Sequence, residues 1–156
     1  ISVKHFIDVA PGSASAVKVS MKCDDLTPAG SLGGFYAIEG KKQITGLYFS
    51  GGYIQGLQST GWVNLLAVSA GVTYNCEIYF PNKTQHTVVI NGTTYATLAT
   101  NYTAMTTSAD VLQVEKYSST TANVYFDSIN ASDNAPLIKP SSIQFLWAGL
   151  SSGMAR

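Results

Sequence analysis

The feature that most constrains this chain is an alternation of apolar and polar side chains with a period of two. Two segments, VKVSMKC and YNCEIYF, show it most cleanly. Because successive side chains of a strand point to opposite faces, the apolar face of each segment is predicted to enter a core. The predicted inward residues are Val17, Val19, Met21 and Cys23 in the first segment and Tyr74, Cys76, Ile78 and Phe80 in the second.

Other short runs rich in Val, Ile, Tyr and Phe predict further strands. Asn91-Gly92 is a strong hairpin signal, because both residues tolerate the positive φ of a type I′ turn, and it is expected to join two of these strands. Helices at 62–69 or 110–116 are the alternative, but these segments carry β-branched or aromatic residues and no capping residues. Eight to eleven short strands separated by turns predict an all-β fold, an antiparallel β-sandwich of the jelly-roll type. The further runs are residues 34–39, 44–50, 62–69, 86–91, 93–96, 111–116 and 123–129.

Length and charge narrow the class of protein. The chain of 156 residues fits one domain, and only 12% of its residues are charged, with a net charge of zero. Nucleic-acid binding requires a basic patch, so it is not expected. No apolar run approaches the roughly 20 residues of a membrane helix, so membrane insertion is not expected either. Low charge and many hydroxyl side chains favour an extracellular or virion-surface location.

The pattern changes after the segment DNAP at residues 133–136. We therefore divide the chain into a sandwich domain, 1–135, and a C-terminal segment, 136–156. The apolar stretch IQFLW at 143–147 predicts either a last strand or a contact with another subunit, such as that of a trimer.

Three segments, AVKVSMKC, YNCEIYFPNKTQHTVVINGT and NVYFDSI, resemble the concanavalin A-like lectin/glucanase superfamily, which includes laminin G-like and pentraxin-like domains. Together they span residues 17–129. The resemblance implies the lectin-like jelly-roll fold for domain 1–135 more directly than it implies a function. It also implies a disulfide between Cys23 and Cys76, although Cys23 lies about three residues from the expected place. The alternative is two buried thiols.

The resemblance further implies a calcium site formed by Asp127 of the closing strand and Asp8 near the N-terminus. Calcium takes six to eight oxygen ligands, so backbone carbonyls would have to complete the site. The alternative is that Asp127, in the middle of the apolar run VYFDSI, accepts hydrogen bonds from a neighbouring turn.

Enzyme chemistry has little support in the sequence. The three glutamates, Glu39, Glu77 and Glu115, each stand alone in a strand. A glycosidase would need two carboxyl groups roughly 5–9.5 Å apart, which neighbouring strands would have to provide from Glu77 and Glu115. A polysaccharide lyase would use His5 or His86, but the sole arginine, Arg156, is at the end of the sequence.

Sugar binding uses aromatic faces and polar acceptors. We predict a saccharide platform if the outward-facing candidates share one sheet; otherwise they are ordinary cross-strand pairs on a solvated sheet. Trp62 and Trp147 are interpreted as core or interface residues. The candidate platform residues are Tyr36, Tyr48, Glu77, Tyr79, Gln113 and Glu115.

These observations favour a non-catalytic, glycan-binding, lectin-like module of a secreted, cell-surface or phage tail-spike or fibre protein acting in host recognition. The first alternative is a structural trimerisation or capping domain of a viral fibre or tailspike. The second is a small polysaccharide-degrading enzyme.

Overall fold

The strands of this protein pair in two separate sheets. The computed structural model describes residues 2–11, 16–101, 105–117 and 121–131, and these residues form eleven strands. The strands are β1 (Ser2–Val9), β2 (Ala16–Cys23), β3 (Ser31–Glu39), β4 (Lys42–Ser50), β5 (Tyr53–Gln58), β6 (Gly61–Ala67), β7 (Thr73–Asn82), β8 (Gln85–Ile90), β9 (Thr93–Ala99), β10 (Ala109–Lys116) and β11 (Val124–Ala131).

The two sheets are antiparallel throughout their described pairings. One has six strands in the order β1-β10-β3-β4-β5-β6, and the other has five in the order β11-β2-β7-β8-β9. The late strands β10 and β11 return to pair with the early strands β1, β3 and β2. The predicted antiparallel β-sandwich is therefore confirmed. The sequence analysis missed β1 and β5.

The core lies between the two sheets and is built from their inward faces. All eight inward residues predicted for β2 and β7 are buried, with Tyr74 the most exposed of them at 7%. Burying one large apolar side chain contributes about 1.5–3 kcal/mol relative to leaving it in water. The period of two therefore reports correctly which face of each strand enters the core.

A buried polar contact joins the two sheets. The Nε2 atom of His86 on β8 lies 2.8 Å from the hydroxyl of Thr45 on β4, and that hydroxyl donates to the carbonyl of Leu57 on β5 at 3.2 Å. The hydroxyl has a single proton, so when it donates to Leu57, the tautomer of His86 with the proton on Nε2 donates to Thr45. Burial lowers the pKa of His86 to about 4, so the ring is neutral at pH 7.

The two histidines do not support the lyase hypothesis. His86 is completely buried, and burial also lowers the pKa of His5. Among the described residues, His5 Nε2 and His86 Nδ1 are buried atoms with no hydrogen-bond partner. The buried ring of His86 therefore has no access to a polysaccharide on the surface, while His5 is half-buried on β1.

The disulfide implied by the resemblance is not formed. The register pairs Cys76 with Val19, four residues before Cys23. Four residues of strand span about 13 Å, whereas the Cα atoms of a disulfide lie at most about 7 Å apart. Both cysteines are free and buried, so the alternative of two buried thiols is correct.

The predictions for the C-terminal segment and for membrane insertion remain. The C-terminal segment 136–156, with Trp147 and Arg156, lies outside the described residues. Among the residues that the structure describes, no helix has the length and apolar character needed to cross a membrane.

Candidate functional site

The outer face of the six-stranded sheet carries polar and aromatic side chains in register across the strands. Cross-strand partners stand roughly 5 Å apart, so each row of partners is a continuous strip of surface. The first row crosses all six strands, and the second begins beside it on β1. The first row is Ser2, Glu115, Gly34, Tyr48, Gln55 and Asn64, and the second begins Lys4, Gln113, Tyr36 and Gly46.

Two tyrosines form the floor of this face. The rings of Tyr36 and Tyr48 are 4.9 Å apart between centroids, and the residues are only 5% and 1% exposed. A Cβ atom at Gly46 would lie 2.5 Å from Cδ1 of Tyr36, so the missing side chain lets the ring lie across the neighbouring strand. The sequence analysis placed both tyrosines on the outer face correctly, but their rings are covered.

Two other aromatic rings, which flank the floor, are open to solvent. Trp62 is 40% exposed and Tyr117 is 38% exposed, and their ring centroids lie 5.2 and 5.6 Å from that of Tyr48. The core placement considered for Trp62 is therefore wrong. Tyr117 was not singled out, although it continues the alternation of Gln113 and Glu115 and could have been found by extending it.

The carboxylate of Glu115 is held in place by two donors. The Tyr48 hydroxyl donates to Oε1, and Gln113 Nε2 donates to Oε2 at 2.6 Å. Burial, together with this hydrogen bond and the Glu115 charge, raises the pKa of Tyr48 far above its ordinary value. Tyr48 therefore remains a protonated donor over the working range of pH.

Two amides extend the polar strip beyond Tyr48. Gln55 Nε2 donates to Oδ1 of Asn64 at 2.7 Å, and Asn64 is exposed beside Trp62 on β6. This surface combines exposed aromatic rings, a fixed carboxylate and amide groups. Such a combination can bind a polyhydroxylated ligand through its C–H faces and its hydroxyl groups. We call this surface, made of Tyr36, Tyr48, Gln55, Trp62, Asn64, Gln113, Glu115 and Tyr117, the aromatic face.

The remaining two candidate platform residues lie elsewhere. Glu77 and Tyr79 are on β7, in the five-stranded sheet. There the Tyr79 hydroxyl donates to Oε2 of Glu77, and Lys18 Nζ lies 3.1 Å from the same oxygen. The structure thus brings together Tyr36, Tyr48, Gln113 and Glu115, and it does not bring Glu77 and Tyr79 to them.

This placement also removes the predicted glycosidase pair. Glu77 and Glu115 point outward from different sheets, and packed sheets stand about 10 Å apart before the side chains are counted. Their carboxyl groups are therefore farther apart than the roughly 5–9.5 Å that glycoside hydrolysis requires. The expectation that adjacent strands join them is wrong.

The two aspartates implied as calcium ligands lie on different sheets. Asp8 is exposed on β1, and Asp127 is on β11, where its Oδ1 accepts from the Ser128 N–H at 2.7 Å. That bond lies at an irregularity of β11, where Ser128 has a φ of 50°. Across the described ranges, no three His, Cys, Asp or Glu side chains gather at metal-binding spacing. Calcium stays a prediction. The bond to Asp127 comes from the next residue of the same strand and not from a neighbouring turn, which was the alternative.

Known structures resemble this sandwich closely enough to define its fold. A sialidase matches 87% of this chain with a TM-score of 0.60 and 15% identity, although the match spans only 12% of the sialidase chain. An endo-β-1,4-glucuronan lyase from the fungus Trichoderma reesei matches with a TM-score of 0.57 and 14% identity, over 87% of this chain and 75% of the lyase. A toad ovary galectin in complex with thio-digalactose matches with a TM-score of 0.52 and 8% identity, over 79% of this chain and 97% of the galectin.

The fold is a concanavalin A-like jelly roll. The resemblance stated from the sequence is therefore confirmed at the level of fold. No family model matches the chain, and no curated protein does. The jelly roll supports both lectins and enzymes, so the function has to be argued from the site.

Proposed function

We propose that this protein is a non-catalytic carbohydrate-binding module whose glycan lies on the aromatic face. The observation that carries the proposal is the position of Trp62 and Tyr117. Both rings are exposed, and both flank the buried Tyr48, whose hydroxyl holds the Glu115 carboxylate. A pyranose ring could pack its C–H face on either ring while its hydroxyls donate to Glu115.

The similarity to a galectin solved with thio-digalactose supports this proposal. The similarity to a sialidase and to a glucuronan lyase makes an enzyme the alternative function. Tyr48 argues against proton abstraction, because its raised pKa makes its phenolate a rare species, whereas a general base works best near the operating pH.

Carboxylate spacing argues against hydrolysis at this site. Asp110 is five residues from Glu115 on the same strand, which is about 16 Å along β10. Asp8 is six residues along β1 from Ser2, the register partner of Glu115. Neither carboxylate lies within the roughly 9.5 Å that an inverting mechanism needs, and a retaining mechanism needs less.

The biological setting belongs to the proposal as well. We place the module on the outside of a cell or a virion, as part of a secreted, cell-surface or phage tail protein. Its low charge and hydroxyl-rich composition support that setting. A trimerisation or capping role rests on the segment 136–156, which lies outside the described residues.

Titration calorimetry against a broad glycan panel tests the proposal. We expect a binding glycan whose affinity falls at least about tenfold, or about 1.4 kcal/mol, when Trp62→Ala removes the exposed ring. Tyr125→Ala is the matched control, because Tyr125 is 45% exposed but lies on the five-stranded sheet. Equal affinity in both variants, or no binding across the panel, would contradict the proposal.

A further inference from the structure

The Glu115 carboxylate leaves acceptor positions open to a ligand on the aromatic face. The only hydroxyl proton of Tyr48 and one amide proton of Gln113 are already used on Glu115. One amide proton of Gln55 is used on Asn64. An ionised carboxylate offers about four acceptor positions, so Glu115 keeps about two for a ligand. A ligand that donates hydroxyl protons fits this surface.

The charge of Glu115 has no cationic partner among the residues that the structure describes. Among the described residues, no Lys or His nitrogen lies within ion-pair distance of Glu115, and its two recorded partners are a phenol and an amide. Glu77 on the other sheet differs, because Lys18 Nζ lies 3.1 Å from its carboxylate. The aromatic face therefore presents a net negative charge to whatever binds beside Glu115.

We infer that the aromatic face takes neutral glycans and rejects those that carry a carboxylate beside Glu115. This inference rests on the proposed function and names its ligand class. A carboxylate brought next to Glu115 on a partly desolvated surface meets like-charge repulsion, which in an interface costs several kcal/mol. A neutral sugar hydroxyl at the same place donates to Glu115 instead.

Lys4 is the cation that could reverse this preference. It is exposed on the edge strand β1, where its register partner is Gln113, so it stands diagonally from Glu115. Diagonal neighbours are separated by about 7–8 Å, and an exposed lysine at that distance is screened by water and salt. Lys4 is therefore expected to affect acidic ligands weakly, and the experiment has to measure that effect.

The test compares matched ligands on the full chain. Each neutral oligosaccharide that binds is titrated beside the product in which its primary alcohols are oxidised to carboxylates. We expect the oxidised form to bind at least about tenfold more weakly, with the difference shrinking at high salt. Glu115→Gln should narrow the difference to about threefold or less, while Glu77→Gln, on the opposite sheet, should leave it unchanged.

The outcomes separate this inference from the proposed function. If neither form of any glycan binds, the proposed function fails. If the oxidised form binds as tightly as the neutral one, or more tightly, glycan binding stands and the preference for neutral ligands is overturned. If Lys4→Ala then weakens the oxidised form alone, Lys4 is the reason. An unchanged difference in Glu115→Gln would also overturn the inference, because the repulsion would not come from Glu115.

Discussion

The outer faces of the two sheets contain the same local motif in two settings. On each, a tyrosine hydroxyl donates to a glutamate: Tyr48 to Glu115 on the six-stranded sheet and Tyr79 to Glu77 on the five-stranded sheet. Glu77 has a lysine as its second partner, whereas the second partner of Glu115 in the described part of the chain is an amide.

The aromatic rings distinguish the faces further. Tyr48 is packed among Tyr36, Trp62 and Tyr117. On the five-stranded sheet, Tyr79 and Tyr125 each have a lysine over the ring, at 5.9 and 4.9 Å from the centroid. Lysines therefore contact the Glu77 carboxylate and these two rings, whereas the corresponding groups of the aromatic face are left to a ligand.

The largest expected effect tests how tightly the aromatic face is packed. Gly46→Ala places a Cβ atom 2.5 Å from the Tyr36 ring and 2.7 Å from the Phe35 carbonyl oxygen. Overpacking of this kind is expected to lower the free energy of unfolding by about 2–3 kcal/mol. Thr97→Ala, at an exposed position of the five-stranded sheet, should change it by less than about 0.5 kcal/mol. Urea denaturation measures both, and a fully stable Gly46→Ala variant would show that the Tyr36 ring and the strand carrying Phe35 both move to make room.

The next effect concerns a carboxylate that belongs to neither motif. Glu39 is buried and accepts hydrogen bonds from the backbone N–H and hydroxyl groups of Thr106 and Thr107. Burial opposes its ionisation, but these donors outweigh burial and lower the pKa of Glu39 to about 2. Glu39→Gln should cost about 2 kcal/mol at pH 7, because hydrogen bonds to a charged group are lost.

The pH dependence fixes the sign of this effect. A depressed pKa in the folded state stabilises the protein fully above the unfolded value of 4.5, and the contribution is lost as the pH falls toward about 2. Unfolding measured across this window should show a steeper loss of stability for the natural protein than for Glu39→Gln. Parallel curves would mean that Glu39 is not held as described.

A smaller effect separates the two tyrosine–glutamate pairs directly. Tyr48→Phe leaves Glu115 with Gln113 as its recorded partner, so we expect a loss of about 1.5 kcal/mol in the free energy of unfolding. Tyr79→Phe leaves Glu77 paired with Lys18, and about 0.5 kcal/mol is expected. Equal losses in thermal or urea unfolding would show that the lysine does not distinguish the two faces.

The smallest effect is that of the ion pair. The side chains of Lys18 and Glu77 are 50% and 22% exposed, so Lys18→Met should change the free energy of unfolding by at most about 0.5 kcal/mol. Burial raises the pKa of Glu77, but the bond from Tyr79 and the bond and charge of Lys18 outweigh it and lower the pKa. Nuclear magnetic resonance titration should therefore find a higher pKa for Glu77 in Lys18→Met, and an unchanged value would contradict the ion pair.

The sequence predicts which face of a strand each side chain points to more readily than it predicts which strands pair. Alternation placed Cys76 inward and Glu77 outward correctly, because a one-residue shift would reverse every side chain of β7. The turn at Asn91-Gly92 was also predictable, since both residues have the positive φ that the sequence suggested, 50° and 79°. Such features depend on neighbours in the sequence.

The candidate site depended on pairing between distant segments, which alternation does not report. Strand β10 pairs with both β1 and β3, and this arrangement places Glu115 in the row of Tyr48 and far from Glu77. Strand β11 shows the same limit locally. Its irregularity after Asp127 turns Ile129 into the core, three residues after the buried Phe126. A strict period of two would have pointed Ser128 inward.

The row from Ser2 to Asn64 crosses every strand of its sheet, from one edge to the other. A glycan chain lying along that row would contact all six strands, including β1 and β10, which long connections separate from the consecutive strands β3 to β6, and it would restrain these strands together. Occupancy should then slow hydrogen exchange at the edge strands β1 and β6, where an unliganded sheet frays first.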